Sequence, residues 1–264
     1  MQNKFNFNKK NILITGATGK IGEKLSLRFA SLKSNLILTD TNLKSLESLK
    51  NKIKKKNLTN VNIYKCDLLY EQEIIKFCND IKKNKLKIDI IVNNAAFTGV
   101  TNMDGWATSF ENQSYETFTK ALAVNLSSVF LMTKELKTIL LKSKYPSIIN
   151  IASIYSLLAP DYSMYKDTNI FNPAAYGASK AGLVYLTKWL ASTLAPKIRC
   201  NSISLGGIKR GQTKLFVKKY VNKVPLKRMA TPNDLIDAVL FLSSEMSSYI
   251  TGQNIIVDGG LTIK

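Results

Sequence analysis

The 264-residue chain contains no histidine, and its three cysteines, Cys66, Cys78 and Cys200, stand far apart with no paired spacing. Without imidazole, Ser-His and Cys-His nucleophile systems are excluded, as are the usual zinc sites. The scattered thiols give no disulfide framework and read as buried or neutral side chains. Arginine is nearly as scarce: only Arg28, Arg199, Arg210 and Arg228 stand among 38 basic residues, although the formal net charge is +20. Arginine is the preferred reader of phosphates and base edges. A lysine excess therefore points to solvated helix faces rather than to nucleic acid, and the run Lys50 to Lys56 reads as the exposed end of a helix. No apolar stretch approaches the roughly 20 residues that cross a bilayer. Met1 to Lys10 is polar and has no signal-peptide core. The expectation is a cytoplasmic chain that binds neither nucleic acid nor membrane, and no metal.

What is present is an ordinary globular composition, 45% hydrophobic, in a length that suits one large α/β domain over 1–264. There are no internal repeats and no linker. Asn11-Ile12-Leu13-Ile14-Thr15 is a short β-rich run. It leads through Gly16-Ala17-Thr18-Gly19-Lys20-Ile21-Gly22 into a helical pattern carried by Ile21, Leu25, Leu27, Phe29 and Leu32. Strand, glycine turn and helix are what a pyrophosphate needs: close backbone approach, unpaired N–H groups and a positive dipole end. A plain glycine-rich turn has the same local look. The next strand, Asn35 to Thr39, ends at Asp40. A carboxylate there accepts bonds from both ribose hydroxyls and repels a 2′-phosphate, which favours NAD over NADP. Equally, Asp40 caps a helix over Leu43 to Lys54.

Val61 to Cys66 predicts a third strand. Asp67 after it stands either near an adenine ring or at the cap of a helix over Glu71 to Ile81. Ile88 to Val92, continuous and apolar, reads as a buried parallel strand. It ends in Asn93-Asn94-Ala95-Ala96, small and amide residues that let the chain turn beside a ligand or make an ordinary Asn turn. Thr98 to Gln113 reads as a loop over the site. Ser114 to Lys144 is mostly one helical pattern, interrupted by Asn125 amid Ala121, Leu122, Val124 and Leu126. That amide is costly unless it is bonded; it serves local backbone or the site. Ser147 to Ala152 predicts a fifth strand, and Ser153 stands at its C-terminal end, where parallel sheets bind ligands and where turn serines are also common. Tyr155 to Pro173, with Tyr155, Tyr162 and Tyr165, is a second long insertion whose aromatics suit a substrate wall. A sixth strand over Ile198 to Ser204 precedes Leu205-Gly206-Gly207. Ile208 to Met229 is basic and reads as a mobile lid. Thr231-Pro232-Asn233-Asp234 starts a helix to about Ser243, and Asn254 to Val257 is the last strand. Alternating strands and helices over the whole length predict a doubly wound, mostly parallel sheet.

Tyr176-Gly177-Ala178-Ser179-Lys180 opens an apolar helical run, Ala174 to Leu194. A Tyr and a Lys four residues apart share one helix face. A free phenol titrates near pH ~10, and a nearby ammonium favours the phenolate. The pair is a candidate general acid/base; the alternative is a half-buried Tyr beside a solvated Lys.

Taken together, Thr15-Gly16 through Gly22, Asn93-Asn94-Ala95-Ala96, Asn125, Ser153, Tyr176 with Lys180, Asn201 through Gly207, and Thr251-Gly252 with Asp258-Gly259-Gly260 resemble the short-chain dehydrogenase/reductase family, single-domain type, over nearly the whole chain. The resemblance implies a Rossmann fold and hydride transfer between a nicotinamide and a carbonyl or secondary alcohol. It implies that Tyr176 is the acid/base, that Lys180 lowers its pKa and binds the nicotinamide ribose, that Ser153 holds the substrate oxygen, and that Asn125 supports a water-linked relay to Lys180. For the cofactor, NAD or else NADP, it implies Gly16, Thr18, Gly19, Lys20, Ile21, Gly22, Asp40, Asp67, Leu68, Asn93, Ala95, Gly206 and Ile208 besides Tyr176 and Lys180. Asn93 would line the ribose, Asp67 touch adenine and Ile208 the carboxamide. A homotetramer or homodimer through Ser114 to Lys144 and Ala174 to Leu194 is implied as well.

Three features depart from the family pattern. Lys20 stands where single-domain members place a Gly, so the glycines fall at 16, 19 and 22 as in the extended branch. Leu205 replaces the usual Pro before Gly206, which predicts a less rigid loop. The two insertions are longer than common. Their polar, Tyr-bearing character suits a sugar or sugar derivative, and the overall look resembles reductases of surface-glycan or flagellin-glycan pathways. The competing readings are a 3-oxoacyl-[acyl-carrier-protein] reductase and, in another class, a non-catalytic dinucleotide-binding regulator.

Overall fold

Aliphatic and β-branched runs too short for helices become strands here, and helices between them cover the two faces of the sheet. The computed structural model describes residues 6–56, 59–99, 101–168 and 170–263; half of the N-terminal stretch Met1 to Lys10 therefore lies outside the described residues. The described residues form seven strands: β1 Asn11–Thr15, β2 Asn35–Asp40, β3 Val61–Lys65, β4 Ile90–Asn93, β5 Ser147–Ser153, β6 Arg199–Leu205 and β7 Asn254–Val257. They lie in the order β3-β2-β1-β4-β5-β6-β7, and every pairing is parallel. The helices are α1 Lys20–Ser31, α2 Leu43–Lys56, α3 Glu71–Lys83, α4 Tyr115–Leu122, α5 Ser128–Leu140, α6 Ala174–Leu194, α7 Lys214–Lys223 and α8 Pro232–Ser243.

Both faces of the sheet are buried, as an all-parallel sheet requires. Successive strand residues alternate between them. Ile12, Ile14, Leu36, Leu38 and Val92 pack with Leu25 and Phe29 of α1, Leu46 of α2 and Leu235 and Val239 of α8. Leu13, Ile37, Ile91 and Ile148 pack on the other face with Phe77 of α3, Leu136 of α5 and Leu190 of α6. The strand order reverses between β1 and β4, so the crevice beyond their C-terminal ends is the natural ligand site of this topology.

Several expectations are refined. The long helical pattern is broken into α4 and α5 by a π-helical turn, Ala123–Ser127, with Asn125 at its centre. Such turns often mark functional sites. The stretch expected as a mobile lid contains the regular helix α7. Its aromatic face carries Phe216 and Tyr220 into a satellite cluster with Met164 and Tyr165 of the second insertion. The loosening expected from Leu205 is not found: Leu205 pairs with Ser153 and Val257, Gly206 N–H donates to the Val257 carbonyl at 2.9 Å, and Gly207 N–H donates to the Tyr220 hydroxyl at 2.6 Å. Among the described residues, no helix is long and apolar enough to cross a membrane. The three cysteines are buried, and burial pushes each thiol up to about 12.

Candidate active site

The crevice begins at the glycine turn. Gly16 has φ +61°, and a Cβ there would lie 2.8 Å from the Ala95 Cα; a Cβ at Gly22 would lie 2.1 Å from the Gly16 carbonyl oxygen. The turn therefore closes only without side chains. It is tied to the end of β4: the Asn94 amide donates to the Thr15 and Gly16 carbonyls, both at 3.0 Å, and the Ala95 N–H donates to Thr15 Oγ1 at 3.0 Å. Helix α1 starts with no side-chain cap from Gly19, so its first N–H groups stay available to an anion. These are the features a pyrophosphate needs, and the cradle fits one.

Asp40 does not cap α2. Asn42 does, accepting from Ser45 N–H at 3.0 Å. The Asp40 carboxylate is instead turned to the glycine side, where Thr18 donates its N–H at 2.9 Å and its hydroxyl at 2.7 Å to Oδ2. Asp67 does not cap α3 either. It closes a local turn by accepting from Leu69 N–H at 3.0 Å, and Leu68 beside it is buried. The Asn93 side chain, expected at the ribose, points inward and donates to Asn150 Oδ1 at 2.8 Å. Lys20 reaches across the crevice, and its Nζ donates to the Arg210 carbonyl at 3.1 Å. The Ile208 side chain lies in the core.

At the other end, three chain segments meet. Ser153 ends β5; its Oγ accepts from Tyr155 N–H at 3.3 Å and lies beside the Tyr176 phenol. Tyr176 lies in the first turn of α6. That turn is held by Gln113 from the first insertion, whose Oε1 accepts from Ala174 N–H at 2.9 Å. Lys180, one turn on and 2% exposed, has its Nζ 5.9 Å from the Tyr176 ring centroid and donates to the Ile151 carbonyl at 2.7 Å. Asn125 is fully used: Oδ1 accepts from Phe97 N–H at 2.7 Å, while Nδ2 donates to the Phe97 carbonyl at 3.2 Å and to Ser179 Oγ at 3.0 Å. It thus braces the chain after β4 against α6, beside Lys180.

Burial dominates the electrostatics of both Tyr176 and Lys180. Burial raises the Tyr176 phenol above its ordinary value; the Ser153 hydrogen bond and the Arg210 charge oppose this without cancelling it. Burial lowers the Lys180 ammonium to about 7. Burial acts on both groups against their charged forms, and the charge that opposes it at the phenol is that of Arg210. The persistent charge is Arg210, which sequence reasoning placed only among the basic residues of a lid.

The second insertion supplies a wall. The Tyr155 ring meets Tyr176 edge-on at 6.3 Å. Its hydroxyl bonds that of Tyr165, and the Asn172 amide donates to Tyr165 at 3.3 Å. Asn172 and Gln113 do not stand out in the sequence. Nothing local marks them, because both act on residues reached only through the fold.

The chain is similar to known proteins over nearly its whole length. A family model described as enoyl-(acyl carrier protein) reductase matches residues 16–262. The 3-oxoacyl-[acyl-carrier-protein] reductase FabG of Buchnera aphidicola is 33% identical over 258 residues, covering 96% of this chain and 97% of that protein. Post-translational flagellin modification protein A of Campylobacter coli is 29% identical over 252 residues, covering 95% and 97%. A short-chain dehydrogenase from Leptospira borgpetersenii, solved with bound NAD+, has a TM-score of 0.84 at 31% identity, covering 99% and 96%.

Proposed function

The chain belongs to the short-chain dehydrogenase/reductase family of oxidoreductases, and we propose that within it the chain is an NAD-dependent enzyme interconverting a carbonyl and a secondary alcohol on a sugar-derived substrate. The observation that carries the reaction is the meeting of Ser153, Tyr176 and Lys180 at the crest of the sheet. A bound nicotinamide supplies the hydride. The Ser153 hydroxyl donates to the substrate oxygen and orients it. Tyr176 gives its phenolic proton to that oxygen as the carbon is reduced, and takes it back in the oxidative direction. Lys180 spends one N–H on Ile151, which leaves two for ribose hydroxyls. With a pKa of about 7, it exchanges protons readily at neutral pH, which suits resupply of Tyr176. Asn125 keeps α6 in register for that exchange.

Gly16, Gly19, Ile21 and Gly22 would hold the pyrophosphate, with Thr18 positioning Asp40 for the adenosine ribose. Asp67 and Leu68 would border the adenine, and Ala95, Gly206 and Ile208 the nicotinamide half. The acidic end of β2 favours NAD over NADP. The hydroxyl-and-amide wall of Tyr155, Tyr165 and Asn172 supports a hydroxylated substrate, as does the likeness to a flagellin modification protein. The second reading, a 3-oxoacyl-[acyl-carrier-protein] reductase, is favoured by the FabG relatives at 32–35% identity. Turnover of NADH and NADPH with an acetoacetyl thioester, against a panel of keto-sugars and nucleotide-linked sugars, separates the two. NADH-dependent turnover of a sugar is expected, and strong NADPH turnover of the thioester discards the sugar reading. The enzyme would work in the cytoplasm. Phe130 of α5 and Trp189 of α6, 44% and 47% exposed with ring centroids 6.5 Å apart, support assembly into a dimer or tetramer through these helices.

A further inference from the structure

The four arginines have different fates. Arg28 is exposed on α1. Arg199 donates to the carbonyls of Leu242 at 3.0 Å, Ser244 at 3.1 Å and Ile250 at 3.3 Å, which fixes the end of α8. Arg228 forks onto Asp234 at 2.8 and 2.6 Å. Arg210 is half-buried, and unlike Arg199 and Arg228 its guanidinium has neither a carboxylate nor a carbonyl partner among the described residues.

Its backbone is fixed on every side. The Arg210 N–H donates to Gln212 Oε1 at 2.7 Å, and the Gln212 amide donates back to the Ile208 carbonyl at 2.7 Å. The Lys209 N–H donates to the Ala230 carbonyl at 3.0 Å. The Arg210 carbonyl accepts from Lys20 across the crevice. With the main chain held over the glycine side, the guanidinium extends to where its charge is felt by the Tyr176 phenol. A rigid, permanently charged fork without a partner, at the reacting end of a crevice, is built to receive a planar anion.

We propose that Arg210 is a specificity-determining residue whose guanidinium binds a carboxylate or phosphate carried by the substrate close to the carbonyl that is reduced. This rests on the dehydrogenase reading of the same site. It adds that the hydroxylated substrate is an acid or a phosphate ester. Lys20, anchored to the Arg210 carbonyl, keeps the fork aimed.

The test uses two pairs of probes that differ in charge: dihydroxyacetone phosphate against dihydroxyacetone, and acetoacetate against methyl acetoacetate. Dissociation constants are measured by ligand-observed NMR on the NAD-saturated protein, and kcat/KM with NADH. At least one charged probe is expected to bind about 10-fold or more tightly than its neutral partner, as a charge-assisted fork allows. Arg210→Gln should erase that preference while leaving the neutral probe's dissociation constant unchanged, and Arg210→Lys should keep part of it; because the Arg210 charge also acts on the Tyr176 phenol, kcat is expected to change for charged and neutral probes alike. The affinity for NAD should stay within about twofold. Both variants are checked for an unchanged Tm, so that loss through misfolding is seen as such. A wild-type protein indifferent to charge in both pairs overturns the proposal, as does a preference that survives Arg210→Gln. An equal loss of NAD affinity also overturns it, because Arg210 would then serve the cofactor's diphosphate. The two readings fail separately. If the charge preference disappears in Arg210→Gln but no carbonyl is ever reduced, the anion site stands and the dehydrogenase falls. If neutral probes are reduced with no charge preference, the reverse holds.

Discussion

The two ends of the crevice are built by opposite means. At the glycine end, seven contiguous residues make the site, and they make it with backbone. A missing side chain at Gly22 lets the Gly16 carbonyl approach to 2.1 Å of where a Cβ would be, and the N–H groups of α1 supply the recognition. At the reactive end, Asn125, Ser153, Tyr176 and Lys180 come from three distant segments, and burial penalises the charged forms of both Tyr176 and Lys180. The first end is a matter of shape. The second stores an electrostatic cost that ionisation can release, which makes it tunable by any charge placed nearby.

The contrast is sharpest where one oxygen is removed from the reactive end. Tyr176→Phe keeps the shape and deletes the proton donor. It should lower kcat by about 10²–10⁴ while NAD affinity stays within about twofold. Stopped-flow turnover beside NAD titration checks this. Intact turnover in that variant would move the chain to the class of non-catalytic dinucleotide-binding regulators. The glycine end should break by shape alone. Gly22→Ala places a methyl 2.1 Å from the Gly16 carbonyl and 2.8 Å from the Ala17 Cα, so the turn must open. A loss of about 1–3 kcal/mol in stability is expected, together with loss of NAD binding. Gly19→Ala is the control. Its Cβ would sit at an ordinary 3.4 Å from the Gly16 carbonyl, and Tm should barely move. Equal damage from the two would mean that the turn is not held by shape.

The reactive end should also show itself in stability against pH. Lys180 holds a proton to about pH 7 when folded and to its ordinary value of 10.5 when unfolded. Between these values the unfolded chain binds more protons, so stability rises with pH. The contribution is complete above 10.5 and is lost as pH falls through 7. The slope is at most about 1.4 kcal/mol per pH unit. Above about pH 9, the three buried thiols, pushed up to about 12, act in the opposite direction, because the folded chain then keeps more protons. The clean window is therefore about pH 7–8.5. Wild type minus Lys180→Met, by urea unfolding, should gain about 2 kcal/mol across it. A flat difference would mean that Lys180 is not desolvated.

How far the sequence could be read follows the same division. The glycine turn and the acidic end of β2 were legible because shape at that end is written in adjacent residues. The Tyr176–Lys180 pair was legible because four residues make one helical turn. The amide of Asn125 amid apolar neighbours marked a break that is the π-helical turn, though its partners Phe97 and Ser179 were not foreseeable. Helix α7 was hidden by a basic composition that obscures its apolar face of Phe216 and Tyr220. Asn93 and Asn94 look alike in sequence, yet β4 alternation sends the first to Asn150 and lets the second tie the glycine turn. Gln113 caps a helix 61 residues away. Contacts of that span depend on the whole topology and leave no local pattern.

The smallest expected effect lies where the two ends share a method, at Asp40, a charge serving the backbone end. Its Oδ2 takes both Thr18 donors, and its Oδ1 accepts from Thr41 N–H at 2.8 Å. Oδ2 is filled by its two donors, whereas Oδ1 keeps a lone pair for a ribose hydroxyl, and the negative charge stands against a 2′-phosphate. Asp40→Asn keeps the size, removes the charge and turns one acceptor into a donor facing Thr18. NAD affinity should fall about 5–10-fold, the loss of one charge-assisted hydrogen bond, while NADP affinity holds or improves. The ratio of the two dissociation constants isolates the charge from the shared loss of fit. An unchanged ratio would show that Asp40 only braces Thr18 and that discrimination between the cofactors lies elsewhere, with Lys20 across the turn as the next residue to change.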